Sequence, residues 1–404
     1  MNKIDQDILD YFENIKKYRR HIHAHPEVGP EQPNTVKYIK EQFEGFDDIV
    51  ITHGEEKAGL VVDIICAKKG PIIGFRADMD ALNLCETNLE NHLPNKENFC
   101  STFENRMHAC GHDLHSAILI GFGHIVYKHK DKLKGKIRLL FQPGEEGYGG
   151  GKQMVDAKYL DDVQNVFALH VWPNLEVGQI GFKKGAFFAS VDHFNVEVSG
   201  IGGHGASPEK ASDQILAVST MIINLQSILS RKLSGLDQKV LSIGYINAGD
   251  KKATGVLPQV AQFGGTFRTF DSEVKQKIKE ELKYICEYSA KMIHPSCEVK
   301  IEYTNSYPQT VNDGKMVEKL EEVFSKFLNK ENLFSNYIPT LGAEDFSYML
   351  KKVPGVLFLV GTTPPSKDKD RRVFLHNPTF DPDEKSMLYG VQAFKSIAFD
   401  FLLD

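Results

Sequence analysis

A stretch of nine residues, MHACGHDLH from Met107 to His115, contains three histidines, one cysteine and one aspartate. Cys110 and His112 are candidate ligands for a divalent metal, because thiolate and imidazole groups bind zinc, manganese, nickel and cobalt. The two side chains can face one point only if the backbone between them is not helical, which Gly111 permits. A buried free cysteine beside a surface histidine explains the pair equally well, so these residues alone leave both interpretations open.

Two adjacent carboxylates, Glu145 and Glu146, follow Pro-Gly in the segment FQPGEEG. Neighbouring side chains on a turn point in different directions, so one carboxylate can bind a metal while the other acts as a base. Such a base would take a proton from water whose pKa a divalent metal lowers to about 7. A solvated acidic turn is the ordinary alternative. The position directly after an apolar strand and before the glycine-rich GYGGG favours a site.

Further histidines and aspartates fall at the predicted ends of apolar runs. His170 closes the predicted strand ALHV, and His376 ends the apolar stretch RRVFLH, although a single histidine in such a position is more commonly a core residue. Asp78 and Asp80 end GFRADMD, where carboxylates often hold ligand histidines in one tautomer or cap a helix. The histidines of HIHAHPE, residues 21–25, are instead attributed to a helix end, where they interact favourably with the helix dipole.

The elements predicted around these residues alternate between strands and helices in the first part of the chain. The runs GLVVDIICA, PIIGFRAD, KIRLLFQPG and NVFALHV predict strands, with KKGP as a tight turn between the first two. DLHSAILIGFGHIVYKHK has the apolar spacing of an amphipathic helix. This alternation predicts a largely parallel sheet with helices on both faces. Ligands bind at the carboxyl ends of such strands, so we expect the candidate residues of several strands to lie together at one rim of the sheet.

The middle of the chain predicts a second domain. Residues 186–304 follow the order βαββαβ, which is that of a ferredoxin-like unit. After it, KMVEKLEEVFSKFL and GVLFLVG return to helix and strand. The sequence therefore predicts an α/β fold. A mixed, mostly parallel sheet flanked by helices would form a discontinuous catalytic domain from residues 1–185 and 305–404, interrupted by an inserted lid or dimerisation domain.

Composition and charge exclude several classes of function. The 404 residues carry a formal net charge of −6, with 41% hydrophobic and 25% charged residues, so no basic surface for nucleic acid is indicated. No apolar run approaches the roughly 18 residues that cross a bilayer, and the charged N-terminal segment lacks the apolar core of a signal peptide. We therefore expect a cytoplasmic protein that acts on a small molecule and binds neither nucleic acid nor a membrane.

The six cysteines are scattered along a long chain. This distribution favours free thiols in a reducing compartment over a disulfide framework. The sequence contains no CxxC pair, so a structural zinc ribbon is not indicated.

Nine segments, taken in order, closely resemble the motifs of the aminoacylase/carboxypeptidase family of two-metal hydrolases. These segments are RRHIHAHPEVG, GFRADMDAL, MHACGHDLH, FQPGEEG, ALHVWP, GIGGHGASP, GTFRTF, GAEDFS and LHNPTFD. The most similar branch is that of the amidohydrolases that include hippurate hydrolase, N-acetyl-amino-acid deacetylases and plant auxin-conjugate hydrolases. The resemblance spans nearly the whole chain. It implies hydrolysis of the amide bond of an N-acyl amino acid to a carboxylic acid and a free amino acid.

The resemblance also implies two divalent metal ions per chain, manganese or zinc, with nickel and cobalt as alternatives. The implied metal ligands are Cys110, His112, Glu146, His170 and His376. Cys110 is our candidate for the ligand that bridges the two ions.

Other roles follow from the same resemblance. Glu145 would be the general base and later the proton donor, and Asp80 would support the ligands, with Asp78 beside the same cluster. His204 would polarise the scissile carbonyl from the lid domain, often that of the partner subunit in a homodimer. Arg268 would bind the substrate carboxylate.

One segment departs from the family pattern, and several alternatives remain open. Gly255–Gln259, GVLPQ, stands where relatives commonly carry Asn-Val-Ile-Pro-Asp, which leaves the substrate contacts of the lid domain undecided. The protein could instead be a dipeptidase or carboxypeptidase of the same family. Cys110 could be a covalent nucleophile with His112 or His115 as its base. A metal-binding module is a further alternative, which the adjacent glutamates argue against because a closed structural site needs no free base. A monomer is also compatible with the sequence.

Overall fold

Two separate units organise the chain in the computed structural model, which describes residues 2–53, 58–365 and 372–403. Unit 1 comprises Met1–Phe187, Thr310–Ile338 and Asp345–Asp404, and unit 2 comprises Phe188–Gln309 and Pro339–Glu344.

The α-helices and β-strands are numbered in chain order. The helices are α1 Gln6–Ala24, α2 Pro33–Glu41, α3 Leu93–Lys96, α4 His112–Tyr127, α5 Gly150–Asp156, α6 Gln214–Ser227, α7 Ser272–Ile293, α8 Gly314–Ser325, α9 Ser347–Lys352 and α10 Ser386–Leu402. The strands are β1 Ile49–His53, β2 Leu60–Ile65, β3 Lys68–Asp78, β4 Lys134–Gln142, β5 Asn165–Glu176, β6 Ile180–Gly181, β7 Gly185–Phe188, β8 Ser190–Ser199, β9 Gly203–His204, β10 Lys239–Ala248, β11 Val256–Leu257, β12 Val260–Thr269, β13 Glu298–Tyr307, β14 Thr310–Asn312, β15 Leu333–Phe334 and β16 Gly355–Thr363.

An eight-stranded sheet forms the centre of unit 1, in the order β1-β2-β4-β3-β5-β16-β6-β15. Its central strands β4, β3, β5 and β16 pair in parallel, whereas β1, β2 and β6 add antiparallel pairings. All nine residues of β16 are buried, as expected for an apolar strand covered on both faces. The prediction of a mixed, mostly parallel sheet flanked by helices is confirmed.

Helix α4 differs from the amphipathic helix that its sequence predicts. Nearly all of its residues are buried, around the whole circumference of the helix. The reason is that α1 and α10 pack against α4 in addition to the sheet strand β3, so no face is left to solvent. A helix that is apolar all round is typical of this enclosed position.

Two local predictions in the sheet are wrong. KKGP is the beginning of β3 and not a turn. β3 does not pair with β2, because β4 lies between them and pairs with both. His170 lies in the interior of β5, which continues to Glu176, so the apolar run ALHV does not mark the end of the strand. The strand continues beyond His170 because Val171, Trp172 and Glu176 pair with β16, with an irregularity in the register between Trp172 and Glu176.

Unit 2 has the element order β8-α6-β10-β12-α7-β13 around an antiparallel sheet with strand order β10-β12-β8-β13. Apolar side chains of both helices and the sheet form its own core. The segment Pro339–Glu344 packs with this unit, outside residues 186–304. Two hydrogen bonds hold this segment against the start of β8, because the backbone N–H of Ala189 donates to the carbonyl oxygens of Thr340 and Gly342 at 3.1 and 2.9 Å.

All six cysteines are free thiols, as predicted. Of the helices in the described part of the chain, none is at once long and apolar enough to traverse a lipid bilayer.

Candidate active site

The carboxyl ends of β3 and β4 bring the first polar residues of the site together in unit 1. The parallel register places Asp78, the last residue of β3, directly beside Gln142, the last residue of β4. On the other side of β3, Arg76 is opposite Ala168 of β5, so His170 lies at the same level as Asp78. The predicted rim of the sheet therefore exists, although His170 reaches it from within a strand.

Gly111 fixes the turn between Cys110 and His112. Its φ angle of +89° lies in the left-handed region, and it immediately precedes helix α4, which begins at His112. A Cβ atom at this position would lie 2.4 Å from Cγ2 of Val171, so no other residue fits without displacing β5. The close approach of the turn to the strand is what brings Cys110 and His112 to the rim.

Asp80 holds the ring of His112 in one orientation. The Nδ1 atom of His112 lies 2.9 Å from the carbonyl oxygen and 3.2 Å from the Oδ1 atom of Asp80, so it donates to this residue. The Nε2 atom is buried, lies 3.6 Å from Oδ2 of Asp78 and makes no hydrogen bond within the described residues. The other carboxylate oxygen of Asp80 accepts a hydrogen bond from the backbone N–H of Glu146 at 2.9 Å.

Cys110 lies between two further histidines. Its Sγ atom is 3.5 Å from Nε2 of His170 and 3.3 Å from Nε2 of His376. The Nδ1 atom of His170 donates to the carbonyl oxygen of Val171 at 2.7 Å, which leaves Nε2 directed at the thiol. Nε2 of His376 also lies 3.1 Å from Oε1 of Glu146.

His376 is delivered by a loop and not by a strand. Its φ angle is +61°, and its backbone N–H donates to the carbonyl oxygen of Ala109 at 2.8 Å. The described residues of RRVFLH are irregular, and Arg371 lies outside the described residues. The apolar stretch therefore marks the position of His376 without forming the expected element.

Potential metal ligands converge on Cys110 from two sides. One group of ligand atoms combines Cys110 with His112 and His170, and another combines it with Glu146 and His376. Within each group all ligand atoms lie within 4.8 Å of one another. The five residues that the family resemblance implied as metal ligands therefore all lie in these two groups, which we call the cluster. Cys110 belongs to both groups.

Glu145 lies beside this cluster. A carboxylate oxygen of Glu145 is within 4.8 Å of ligand atoms of His112 and Glu146, and only 7% of the residue is exposed. The turn that carries both glutamates follows β4 and closes tightly, since the backbone N–H of Gly147 donates to the carbonyl oxygen of Glu145 at 2.7 Å. The two adjacent side chains are thus held at one side of the site.

His115 is occupied by structural hydrogen bonds on both ring nitrogens. Its Nδ1 atom donates to Oδ1 of Asp78 at 2.6 Å, and its Nε2 atom accepts the backbone N–H of Val171 at 2.9 Å. Asp78, His112 and His115 also form a group with metal-ligating geometry. Because both nitrogens of His115 are used, this group is less suited to a metal than the two groups that share Cys110.

The pKa values in the cluster reflect burial and surplus negative charge. Burial, with the charges of Glu146, Glu145 and Asp78, raises the pKa of the Cys110 thiol well above its usual range. Burial alone would lower the pKa of His112, but the charges of Asp78 and Asp80 and the hydrogen bond to Asp80 raise it to about 10. Burial holds the pKa of His170 well below its usual value. A bound cation would offset the carboxylate charges and stabilise the thiolate.

These residues fit a pair of divalent cations. Thiolate, imidazole and carboxylate are the usual ligands of zinc and of related transition metals. The buried Nε2 atom of His112 makes no hydrogen bond within the described residues, and a ligand atom of His112 lies within 4.8 Å of Cys110 in one group and of Glu146 in another. Asp80 supplies the carboxylate that commonly orients a ligand histidine from behind.

Unit 2 holds the predicted substrate-binding residues. His204 is exposed on the short strand β9, opposite Val256 of β11, and its Nδ1 atom accepts the backbone N–H of Ala206 at 3.0 Å. Gly255 has open space around the position of a Cβ atom. The guanidinium group of Arg268 donates through Nη1 to the carbonyl oxygen of Leu341 at 2.9 Å.

Several buried charged residues that surround the site were not predicted from the sequence. Arg76 and Asp345 are fully buried and hydrogen-bonded to each other at 3.1 Å. His23 is buried in an ion pair with Asp113, the residue after His112, at 2.9 Å. The signal for Arg76 was a single charge within the apolar run PIIGFRA, and Asp345 lay in the recognised segment GAEDFS.

The family model of peptidase family M20/M25/M40 matches residues 74–400, more than three quarters of the chain. The chain belongs to this family. The predicted resemblance to the aminoacylase/carboxypeptidase hydrolases is confirmed, because these are the relatives that the comparisons find.

Two curated relatives illustrate the similarity. The chain is 32% identical over 397 residues to IAA-amino acid hydrolase ILR1-like 4 of Arabidopsis thaliana, covering 98% of this chain and 87% of that protein. It is 33% identical over 380 residues to N-acetylcysteine deacetylase of Bacillus subtilis (strain 168), covering 94% of each. The prediction of a hydrolase that acts on amide bonds is confirmed by this family.

A solved structure has the same fold. The crystal structure of the YXEP protein of Bacillus subtilis, described as a dinuclear metal-binding peptidase of the M20 family, superposes with a TM-score of 0.79 and is 29% identical. The similarity covers 96% of this chain and 98% of the other.

Proposed function

We propose that this hydrolase cleaves N-acyl amino acids with two divalent cations held by Cys110 and its four neighbouring ligands. The observation that carries this proposal is the position of the thiol, which is shared by two groups of ligand atoms with Glu145 beside them. Two divalent cations, when bound, lower the pKa of water and polarise a carbonyl group. Two adjacent groups that share one thiolate suit a cation pair better than a single closed structural site.

In this proposal, Glu145 moves the proton during hydrolysis. Its carboxylate accepts a proton from the water whose oxygen attacks the amide carbon, and then gives this proton to the amine nitrogen as the C–N bond breaks. The neighbouring Glu146 remains a ligand, since its carboxylate faces Cys110 and His376. Asp80 keeps His112 and the backbone of Glu146 in place through its two carboxylate oxygens. The products are a carboxylic acid and a free amino acid.

His204 and Arg268 of unit 2 are the proposed substrate-binding residues. A hydrogen bond from His204 to the developing oxyanion would stabilise the transition state by about 3–4 kcal/mol. Arg268 would pair with the carboxylate of the amino acid, which a guanidinium group binds through two parallel hydrogen bonds. The exposed ring of His204 and the partly exposed guanidinium of Arg268 are compatible with both roles.

We also propose that the ions are manganese or zinc, that the protein is a homodimer and that it is cytoplasmic. Manganese or zinc suits the mixed thiolate, imidazole and carboxylate ligands, with nickel and cobalt as alternatives. A homodimer through unit 2 is supported by its exposed apolar side chains, discussed below. The free thiols are compatible with a cytoplasmic protein.

The test is a substrate panel measured on metal-analysed protein. Wild-type protein should hydrolyse N-acetyl or N-benzoyl amino acids faster than dipeptides, whereas faster hydrolysis of dipeptides would favour a dipeptidase. Glu145→Gln should lower kcat by about 10²–10⁴-fold because the general base is lost. It should retain its metals, whereas Glu146→Gln should lose metal as well as rate. Full amidase activity in Glu145→Gln would show that the assignment is wrong.

A further inference from the structure

We propose that Arg76 is a positioning residue. It fixes the backbone beside His170 and the turn that carries Glu145 and Glu146 relative to each other. This inference rests on the proposed function, because its consequence is measured on metal binding and hydrolysis. Arg76 lies on β3, two residues before the end of the strand, and its side chain is fully buried. Arg76 donates to Gln142, Asp78 and Asp345, and it would act on the proposed metal ligands through these residues.

Each nitrogen of the Arg76 guanidinium group donates to a different side chain. Nε donates to Oε1 of Gln142 at 2.9 Å, and Nη1 donates to Oδ2 of Asp78 at 2.7 Å. Nη2 donates to Oδ1 of Asp345 at 3.1 Å. The ring of Phe346 packs 5.8 Å from the centre of the guanidinium group. One cation therefore joins the ends of β3 and β4 to the segment before α9.

The first connection leads to the histidine side of the site. Asp78, held by Arg76, accepts a hydrogen bond from Nδ1 of His115 at 2.6 Å. His115 in turn accepts the backbone N–H of Val171 at 2.9 Å. Val171 is the residue after His170, and its carbonyl oxygen fixes the ring of His170 at 2.7 Å. The chain of contacts thus runs from Arg76 to the backbone that orients a metal ligand.

The second connection leads to the glutamate side of the site. Asp345 accepts the backbone N–H of Gly151 at 2.8 Å through Oδ2, and the side-chain amide of Gln142 at 2.7 Å through Oδ1. Gly151 lies in the first turn of α5, directly after the turn that carries the two glutamates. The backbone N–H of Gly150 closes this turn by donating to the carbonyl oxygen of Gly144 at 3.2 Å.

An arginine is required for this arrangement, and a lysine would not replace it. The guanidinium group is planar and carries donors in three directions, whereas a lysine offers one nitrogen on a flexible stem. A lysine at position 76 would keep the positive charge between Asp78 and Asp345 but could not reach all three partners. At least one connection would be lost while the buried charge remained compensated.

The experiment compares Arg76→Lys with Arg138→Lys as a matched control. Arg138 lies on β4 and also uses all its nitrogens, donating to Asp63, Asp162 and the carbonyl oxygen of Tyr159. It makes no described contact with the site. Both variants should lower the melting temperature of the metal-free protein, because each loses buried hydrogen bonds.

Only Arg76→Lys should change the site. Loss of the outer hydrogen-bond partners of metal ligands typically weakens metal binding by about 10–100-fold. We therefore expect Arg76→Lys to raise the Kd for Zn²⁺, measured by competition with a chelator, by about tenfold or more. At saturating metal it should lower kcat with little change in KM, whereas Arg138→Lys should retain the wild-type values of Kd and kcat. Equal Kd and kcat in the two variants would overturn the inference.

A second variant keeps the inference testable if Arg76→Lys does not fold. Asp345→Asn preserves the shape of the side chain, but its NH2 group must face either the backbone N–H of Gly151 or the donors of Arg76 and Gln142, so hydrogen bonds are lost on one side. It should lower kcat through the glutamate turn, and a wild-type kcat would overturn the inference. Failure of the proposed function looks different, because wild-type protein would then bind no divalent metal or hydrolyse no amide.

Discussion

Cys110 is the residue on which the metal site depends most directly. Its thiol lies within 4.8 Å of ligand atoms on both sides of the cluster, and its pKa is held well above the usual range by burial and then by nearby carboxylates. A buried thiol of this kind is protonated and unreactive until a cation arrives. The same surroundings disfavour a metal-free thiolate nucleophile, since nucleophilic cysteines commonly have lowered pKa values.

Metal binding should therefore release the proton of Cys110. His112, with a pKa raised to about 10, should lose a second proton, so the apparent metal affinity should rise with pH. We expect Cys110→Ser to bind metal more weakly and to release one proton fewer than wild type, measured by calorimetry in buffers of different ionisation enthalpy.

The exposed Cys85 provides the matched control for this measurement. Cys85→Ser should have the metal affinity and proton release of wild type. Unchanged metal content and proton release in Cys110→Ser would remove the thiol from the set of ligands.

At the scale of elements, the turn before α4 sets the distance between the helix and β5. Gly111 has a φ angle of +89° and lies against Val171, whereas Gly45 has a φ angle of +81° with no atom within 4 Å of a Cβ position. Left-handed backbone costs a residue other than glycine about 1–3 kcal/mol. Gly45→Ala should therefore lower the free energy of unfolding without changing metal affinity.

Gly111→Ala should lose stability and metal affinity together. The added Cβ must push α4 away from β5, and this displaces Cys110 and His112 from His170. Unfolding in denaturant and chelator competition, measured on both variants, check the prediction. Metal affinity in Gly111→Ala equal to that in Gly45→Ala would contradict it.

A buried ion-pair network joins α1 to α4 beside the site. His23 contacts Asp113 and Glu86 at 2.9 Å each, and Arg19 donates to the same carboxylate of Asp113 at 3.1 Å. Burial alone would lower the pKa of His23, but these two carboxylates raise it to about 9. The folded state therefore binds a proton more tightly than the unfolded state does.

The contribution of His23 to stability should depend on pH in a defined window. It is complete below the unfolded pKa of about 6.5 and is lost as pH rises towards about 9. The free energy of unfolding of wild type should thus exceed that of His23→Gln most clearly at pH 6 and by much less at pH 9. Denaturant titrations at several pH values check this, and a difference that does not vary between pH 6 and 9 would contradict it.

The sequence predicted the strands and helices of the sheet because their apolar runs are long and separated by glycine and proline. It misplaced the beginning of β3 and the end of β5, where pairing with neighbouring strands extends each strand beyond its apolar run. The ligands were found because Cys110, His112 and Glu146 stand in recognisable segments. Arg76, Asp345 and the partners of His23 could not be placed, since their contacts join residues far apart in the chain and no local pattern encodes such pairs.

At the scale of the whole molecule, each unit has its own core and its own set of candidate residues. The two helices of unit 2 expose large apolar side chains. Ile223 of α6 is 71% exposed, and Tyr288 and Met292 of α7 are 62% and 68% exposed. Tyr288 and Met292 lie one helical turn apart on α7, and a patch of exposed apolar side chains is typical of protein–protein contacts.

We expect the purified protein to be a homodimer that these helices help to form. Light scattering should give twice the mass of one chain. Replacement of Ile223 and Met292 by glutamate should shift the protein to a monomer while unit 1 retains its metal affinity. A monomeric wild type would contradict the proposed assembly.

The requirement for two divalent ions at the site around Cys110 underlies the proposed amide hydrolysis. Its most direct test is a titration of metal-free protein with Mn²⁺ or Zn²⁺ while hydrolysis of an N-acetyl amino acid is followed. Activity should be absent without metal and should reach its plateau at two ions per chain. Full activity in metal-free protein, or a plateau at one ion per chain, would contradict it.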